Sequence, residues 1–307
     1  MVEAKETTGS VFPEGIDPHS FELFAQLGLH LEPVRKLLGG YAKSILGRSD
    51  QVIADQGIGT GHSTLTIIKE IPQAVLPTDR IIAIEPSEDI DVAKKRLEDF
   101  GNVEFVKKDA NTFLKGVRGK LDQIHFYNGI HLLSDDQKRI FFHLCRVAMK
   151  PGSLSFITTT FFEGGEPEDE KPFYKDWMNR SLRLMRLKYR EVYGNVIEAT
   201  RKAKAEARKR LPSIKYKEMA EEAGLKIVHF DDSSPDSKMQ ITKEGFRRIA
   251  SYWLWDEGTL PGAPYDVAAE VQQEALESVW GRSPDAVSWR NCLVMVAQKP
   301  AGISRSA

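Results

Sequence analysis

The chain has 307 residues, 41% of them hydrophobic and 28% charged, with 43 Lys and Arg against 44 Asp and Glu for a net charge of -1. That length buries a sizeable core without deciding the number of domains, and the charge balance excludes a global field for nucleic acid. Two distant cysteines, Cys145 and Cys292, exclude a disulfide framework and a CxxC metal site, and no run approaches the roughly 18 apolar residues of a membrane span.

Residues 1–12 are polar, lack the apolar stretch of a signal peptide, and read with 301–307 as frayed tails of a cytoplasmic protein. Two helices are expected next, at 18–28 and 31–47. Leu31, Val34, Leu37, Leu38, Tyr41 and Leu46 give the second an apolar face, and together they form an N-terminal cover, 1–48. From Gln51 apolar runs alternate with amphipathic stretches, the pattern of successive βα units. Strands are expected at 51–55, 80–84, 103–107, 121–126 and 153–160, and helices at 62–70, 88–99 and 135–149. Pro151-Gly152 stops the last helix before strand five.

The pattern breaks after strand five. An acidic loop at 163–171 leads into a helix expected over about 172–210, within an insertion spanning 163–212. Leu182, Met185, Tyr189, Val192, Val196, Ala199 and Ala203 recur at spacings of three and four, so they form one seam suited to a lid, a packing arm or a contact between copies of the chain. The stretch 171–210 holds thirteen basic and four acidic residues, which suits an anionic acceptor, RNA, an acidic membrane surface or simply a solvated helix face. A helix at 213–223 and a strand at 225–230 resume the core over 213–237. A helical insertion at 238–290 includes Tyr252-Trp253-Leu254-Trp255, and a last strand runs over 291–298 in the segment 291–300.

Chemistry concentrates in Asp55-Gln56-Gly57-Ile58-Gly59-Thr60-Gly61-His62, where a strand passes into a helix. Glycines there let a ligand approach main-chain atoms that a Cβ would block. The dinucleotide fingerprint would need glycine where His62 stands, and no Gly-Lys-Ser/Thr follows to make a phosphate loop. Asp55 would repel a pyrophosphate and attract an ammonium group.

These residues resemble the first motif of the class I S-adenosylmethionine-dependent methyltransferases. The resemblance continues in chain order: Ile81-Ile82-Ala83-Ile84-Glu85-Pro86, Asp109-Ala110 after strand three, Tyr127-Asn128-Gly129-Ile130-His131 after strand four, and Met149-Lys150-Pro151-Gly152-Ser153 entering strand five. Single pieces have ordinary turn or cap explanations, but independent turns rarely place acids at the ends of three successive strands. The resemblance implies a Rossmann-like, doubly wound, mostly parallel seven-stranded α/β sheet with its core at 49–162, and helical insertions after strands five and six. It also implies S-adenosylmethionine as cofactor. Asp55, Gly57, Gly59, Gly61 and Asn128 would surround it, Glu85 and Pro86 would meet the ribose, and Asp109 with Ala110 the adenine.

The fourth-strand end resembles the small-molecule branch, which includes quinone and natural-product methyltransferases. That branch implies transfer to oxygen or carbon of a small acceptor, with His131 or Tyr127 as the candidate for acceptor contact or proton removal. His125 alternates within the strand and reads as a core histidine, and His62 as a loop-shaping residue. No Asn-Pro-Pro-Tyr or Asp-Pro-Pro-Tyr follows strand four, which argues against amino methylation of nucleobases. Asn128, Asp135 and Asp136 are a poor match for a catechol-type metal site, so no metal is expected. Phe161, Phe162, Phe173, Trp177, Trp253 and Trp255 could line an apolar or aromatic acceptor pocket, or belong to ordinary core. Two other readings stay open: an RNA-modifying methyltransferase using 171–210, and a non-catalytic binding or scaffold protein. A peripheral membrane contact and a homo-oligomer through 171–210 stay open with them.

Overall fold

A computed structural model describes residues 29–45, 50–70, 78–165, 170–206, 210–242, 260, 263, 265–281 and 287–301. The helix expected at 18–28, most of both tails, and Trp253 and Trp255 lie outside the described residues.

In chain order the elements are α1 (Glu32–Ile45), β1 (Val52–Gln56), α2 (His62–Glu70), β2 (Arg80–Ile84), α3 (Asp89–Arg96), β3 (Val103–Val106), α4 (Ala110–Lys115), β4 (Leu121–Tyr127), α5 (Asp135–Ala148) and β5 (Met149–Thr159). Then follow α6 (Glu170–Lys188), α7 (Arg190–Glu206), α8 (Ser213–Glu222), β6 (Lys226–Asp231), β7 (Lys238–Thr242), α9 (Tyr265–Trp280), β8 (Val287–Asn291) and β9 (Leu293–Gln298). Seven strands form one sheet in the order β3-β2-β1-β4-β5-β9-β6. Pairing is parallel from β3 through β5, and β9 runs antiparallel to both β5 and β6.

Both faces of the sheet are covered, as a mostly parallel sheet of apolar strands requires. Leu31, Val34, Leu37 and Leu38 from α1 and its preceding turn bury with Ile67 of α2 against Ile53, Ile81, Phe156 and Val294. Each such side chain contributes about 1.5–3 kcal/mol. On the opposite face Leu114 of α4, Phe141, Phe142 and Cys145 of α5, and Tyr216 and Met219 of α8 pack on Ala54, Ile124, Phe126 and Ile157. Cys145 and Cys292 are both buried and unbridged.

The structure departs from the sequence expectations in four places. Strand five begins at Met149 and not at 153, because Pro151-Gly152 is absorbed as an irregularity: Leu121 pairs with Met149 but Gln123 already pairs with Leu154. Gly152 there has φ +82°, which glycine adopts at little cost. The helix expected over 172–210 is two, interrupted at Tyr189 between α6 and α7. The insertion expected to be helical over 238–290 carries a strand at each end, β7 and β8, paired antiparallel from Lys238 opposite Asn291 to Thr242 opposite Val287. A short helix, α4, follows β3 where none was expected.

The expected seam is an internal contact. Met185 and Val196 are buried, with Leu182, Tyr189 and Val192 packed on the same cluster, and their partners include Val267, Val271, Ala275 and Leu276 of α9 and Met239 of β7. Phe173 and Trp177, both fully buried, belong to this second core. Arg180 of α6 pairs with Glu274 at 2.6 Å and Lys188 with Glu270 at 2.5 Å, so acids of α9 neutralise part of the basic segment.

Candidate active site

The glycine turn sits at the carboxyl ends of β1 and β2, where open α/β sheets receive ligands. Gly57, Gly59 and Gly61 have φ of +62°, +52° and +89°, in the left-handed region that costs other residues about 1–2 kcal/mol. Two of them also lack room for a side chain. A Cβ on Gly57 would lie 3.0 Å from the Phe126 ring, and one on Gly61 3.1 Å from the Ala93 Cβ and 3.2 Å from its Cα. The turn is pinned to β2 by the Gly57 amide, which donates to the Ile84 carbonyl at 2.8 Å. Arg96 of α3 donates to the Thr60 carbonyl on its far side.

Glu85 ends β2 and is 5% exposed. Its Oε2 accepts from the Gly59 amide at 2.8 Å and its Oε1 from the Ser87 amide at 3.0 Å. One acid thereby joins the glycine turn to the β2 turn, and each oxygen keeps a further lone pair. Pro86 beside it is half-buried.

Asp55 is fully buried. Its Oδ2 accepts from Thr64 Oγ1 at 2.7 Å and Ser63 Oγ at 3.3 Å, both in the first turn of α2. Its Oδ1 has no hydrogen-bond partner among the described residues. Burial pushes the carboxyl up to about 7, against the downward pull of the Thr64 and Ser63 hydroxyls. A buried carboxyl with one oxygen lacking a donor fits a cation.

Asp109 does what its position after β3 also permits: it caps α4, accepting from the Thr112 amide at 2.9 Å. Burial raises its pKa, but the Thr112 bonds outweigh that and hold it below the usual carboxylate range. Ala110 begins α4 and is 8% exposed. Asn128 has φ +49°, and its Oδ1 accepts from the amide and hydroxyl of Thr160 at 3.0 and 3.1 Å. It therefore straps the end of β4 to the end of β5.

Beyond Asn128 the two candidates for acid–base work separate. Tyr127 turns into the core beneath α1, where its hydroxyl meets His125 Nδ1; burial first and the Asp55 carboxylate second raise its pKa well above the ordinary phenol value. His125 stacks on Phe156 at 4.9 Å between ring centroids and hydrogen-bonds Gln123 at 2.8 Å, and burial holds it down at about 3, hence neutral. It is the core histidine its alternation suggested. His131 instead reaches the end of β5: Thr159 Oγ1 lies 3.3 Å from its Nδ1 and its ring centroid 4.2 Å from that of Phe161.

Arg290 and Arg210 were not legible as site residues. Both stand over the Phe161 ring, at 4.8 and 5.4 Å from its centroid. The sequence signal for Arg290 is the alternation of β8, where Trp289 is 48% exposed and Arg290 fully buried. Of the aromatics expected near an acceptor, Phe161 meets His131, whereas Phe173 and Trp177 stack on each other in the second core. Among the described residues no three or more His, Cys, Asp or Glu side chains gather to hold a metal ion, and no helix is long and apolar enough to cross a membrane.

Comparison with known proteins agrees with this geometry. The family described as "Methyltransferase domain" matches residues 53–152, from β1 into the start of β5. Among solved structures, the YcgJ protein of Bacillus subtilis superposes with a TM-score of 0.50 at 15% identity, covering 86% of this chain and 98% of that one. The [4+2]-cyclase SpnF superposes with a TM-score of 0.50 at 14% identity, covering 87% and 81%. At these identities the structural likeness establishes the fold. No curated protein matches the sequence. With the family match lying on the same glycine turn, acids and strand order, residues 53–152 form a methyltransferase domain, an enzyme unit whose cofactor is S-adenosylmethionine.

Proposed function

We propose that this enzyme methylates an oxygen or carbon of a small-molecule acceptor, with the cofactor over the carboxyl ends of β1 and β2 and the acceptor at the ends of β4 and β5. The observation that carries the cofactor placement is the Glu85 carboxylate gripping the Gly59 amide in a turn whose Gly57 and Gly61 leave a Cβ only tight space. When bound, S-adenosylmethionine supplies an electrophilic methyl group on a sulfonium that leaves as a neutral thioether. The chain has then to orient and to exclude water.

In this reading Gly57, Gly59 and Gly61 let the amino-acid portion approach the backbone, and Asp55 Oδ1 receives its ammonium. Glu85 accepts from the ribose hydroxyls with its remaining lone pairs, beside Pro86, and Asp109 and Ala110 edge the adenine. Asn128 holds the β4–β5 ends together, where it would border the cofactor. His131, its ring oriented through Nδ1 by Thr159, would take the acceptor's proton at Nε2. Tyr127, buried against His125 and kept protonated by its raised pKa, is not the base.

The test is calorimetry of the full chain with S-adenosylmethionine and S-adenosylhomocysteine, followed by mass spectrometry of small-molecule extracts incubated with isotopically labelled cofactor. Binding of both, weakened at least tenfold in Glu85→Ala, with label appearing in a small product, is expected. Binding without any labelled product from extract would leave a scaffold role in its place. Label recovered in RNA would favour the basic segment as the acceptor surface.

A further inference from the structure

The basic helix α6 has two faces of different character. Between Lys171 and Lys188 the only acid is Asp176. Two cations of this stretch are answered by α9: Arg180 pairs with Glu274 at 2.6 Å and Lys188 with Glu270 at 2.5 Å. Lys171, Lys175, Arg183 and Arg186 are exposed and make no ion pair among the described residues. Asp176, whose charge Arg183 also feels, is held by Arg180 at 2.8 Å. At about 3.6 residues per turn these four cations fall within an arc of about 120°, along about 22 Å of helix axis. Phe173, Trp177, Ser181 and Met185 on the other side of the helix are all buried, so the arc is the side turned away from the second core. Leu187 borders it. This leucine is 67% exposed, against 48% for Trp289, the next most exposed large hydrophobic among the described residues. Helix α7 carries no such stripe, because its exposed charges mix signs: Glu191 and Glu198 with Arg201 and Lys202.

A row of one sign repels its own copy, so a second chain docked face to face on it is disfavoured. An anionic surface is attracted along the whole row. The leucine selects among anionic surfaces. A nucleic-acid backbone offers phosphates but no apolar matrix, and a water-facing leucine beside four cations gains nothing there. A bilayer offers both, with anionic headgroups for the cations and the acyl boundary for an apolar side chain. The hydrocarbon stems of Lys and Arg suit the same boundary, since they can lie along apolar surface while their charges stay among the headgroups.

We propose that the outward face of α6 docks this protein on an anionic membrane surface, with Lys171, Lys175, Arg183 and Arg186 among the headgroups and Leu187 inserted beside them. The protein then lies on the bilayer without spanning it. No residue of the cofactor end takes part, so the test does not depend on turnover or on the acceptor.

The experiment is flotation of the full chain with phosphatidylcholine vesicles, prepared with and without phosphatidylserine, beside a titration with polyuridylate. Phosphatidylserine is expected to tighten binding at least tenfold. A cation near such a surface contributes about fivefold, so Arg183→Gln combined with Arg186→Gln should weaken binding to the anionic vesicles about 25-fold. Leu187→Asn should lose at least threefold on the anionic vesicles and nothing on polyuridylate. All three side chains are exposed, so the urea midpoint of each variant should match wild type, which separates lost docking from lost fold. Equal binding to the two kinds of vesicle overturns the proposal. So does a phosphatidylserine preference that survives the paired substitution, or binding to the anionic vesicles that is unchanged in Leu187→Asn. Polyuridylate bound more tightly than the anionic vesicles overturns it as well and assigns the face to nucleic acid.

Discussion

A single buried carboxyl sets the electrostatics of the cofactor end. Asp55 titrates at about 7, pushed up from 3.8 by burial. Because the folded chain holds this proton more tightly than the unfolded one, Asp55 costs stability as pH rises from about 4 to 7, on the order of 4 kcal/mol by pH 8. A cationic cofactor binds the ionised form, so affinity for S-adenosylmethionine should climb about tenfold per pH unit up to about 7 and level off above it. Calorimetry between pH 5.5 and 8.5 would show this, and a flat profile would show that Asp55 does not face the cation. Asp55→Asn should gain stability relative to wild type as pH rises from 5 to 8, read by urea denaturation, while losing cofactor affinity at pH 8. Asp55 was legible by its place before the glycines, but its burial was not. That required Thr64 and Ser63 of α2 to fold over it.

Among elements, the glycine turn was read most completely, because its signal is local: positive φ and the loss of Cβ are written in residue type. What makes each glycine necessary is not local. Gly61 faces Ala93 of α3, whose Cα would lie 3.2 Å from an added Cβ, whereas nothing lies within 4 Å of one on Gly152 although its φ is +82°. Gly61→Ala should therefore cost about 2–4 kcal/mol and reduce S-adenosylhomocysteine affinity at least tenfold. Gly152→Ala should cost only the backbone strain, about 1–2 kcal/mol, and leave affinity intact. Equal effects of the two in urea denaturation and calorimetry would remove the steric argument. Long helices were read less well. The seam from Leu182 to Ala203 keeps its spacing through Tyr189, so periodicity alone continued one helix where the chain bends to pack both halves on one cluster. α5 shows the opposite case: it begins at Asp135, where the sequence places it, and the structure caps it with Ser134, whose hydroxyl accepts from the Gln137 amide while the Gln137 side chain accepts from the Ser134 amide.

The whole molecule has two kinds of core. Two large clusters lie on the faces of the seven-stranded sheet, and another joins α6, α7, α9 and β7 around Phe173, Trp177 and Met185. Trp177 is fully buried there, in a cluster whose described members belong to α6, α7, α9, β7 and positions near them, and not to the glycine turn. Trp177→Ala should cost about 3–5 kcal/mol in thermal unfolding yet change S-adenosylhomocysteine affinity by less than threefold. A tenfold loss of affinity would mean that this second core supports the cofactor end after all. The β7–β8 pair was invisible in sequence because its strands are 44 residues apart, from Thr242 to Val287, and neither carries a turn signal toward the other. With it went Arg290. By itself the sequence determined the alternation of strands and helices, the glycine turn and the acids at strand ends, since these depend on residue type and near-neighbour spacing. Only the tertiary structure decided which oxygen of Asp55 lacks a donor, that Tyr127 turns into the core while His131 reaches Phe161, and that two distant arginines meet at one ring. Those outcomes depend on contacts between segments far apart in the chain, and no local pattern encodes the partner on the other side.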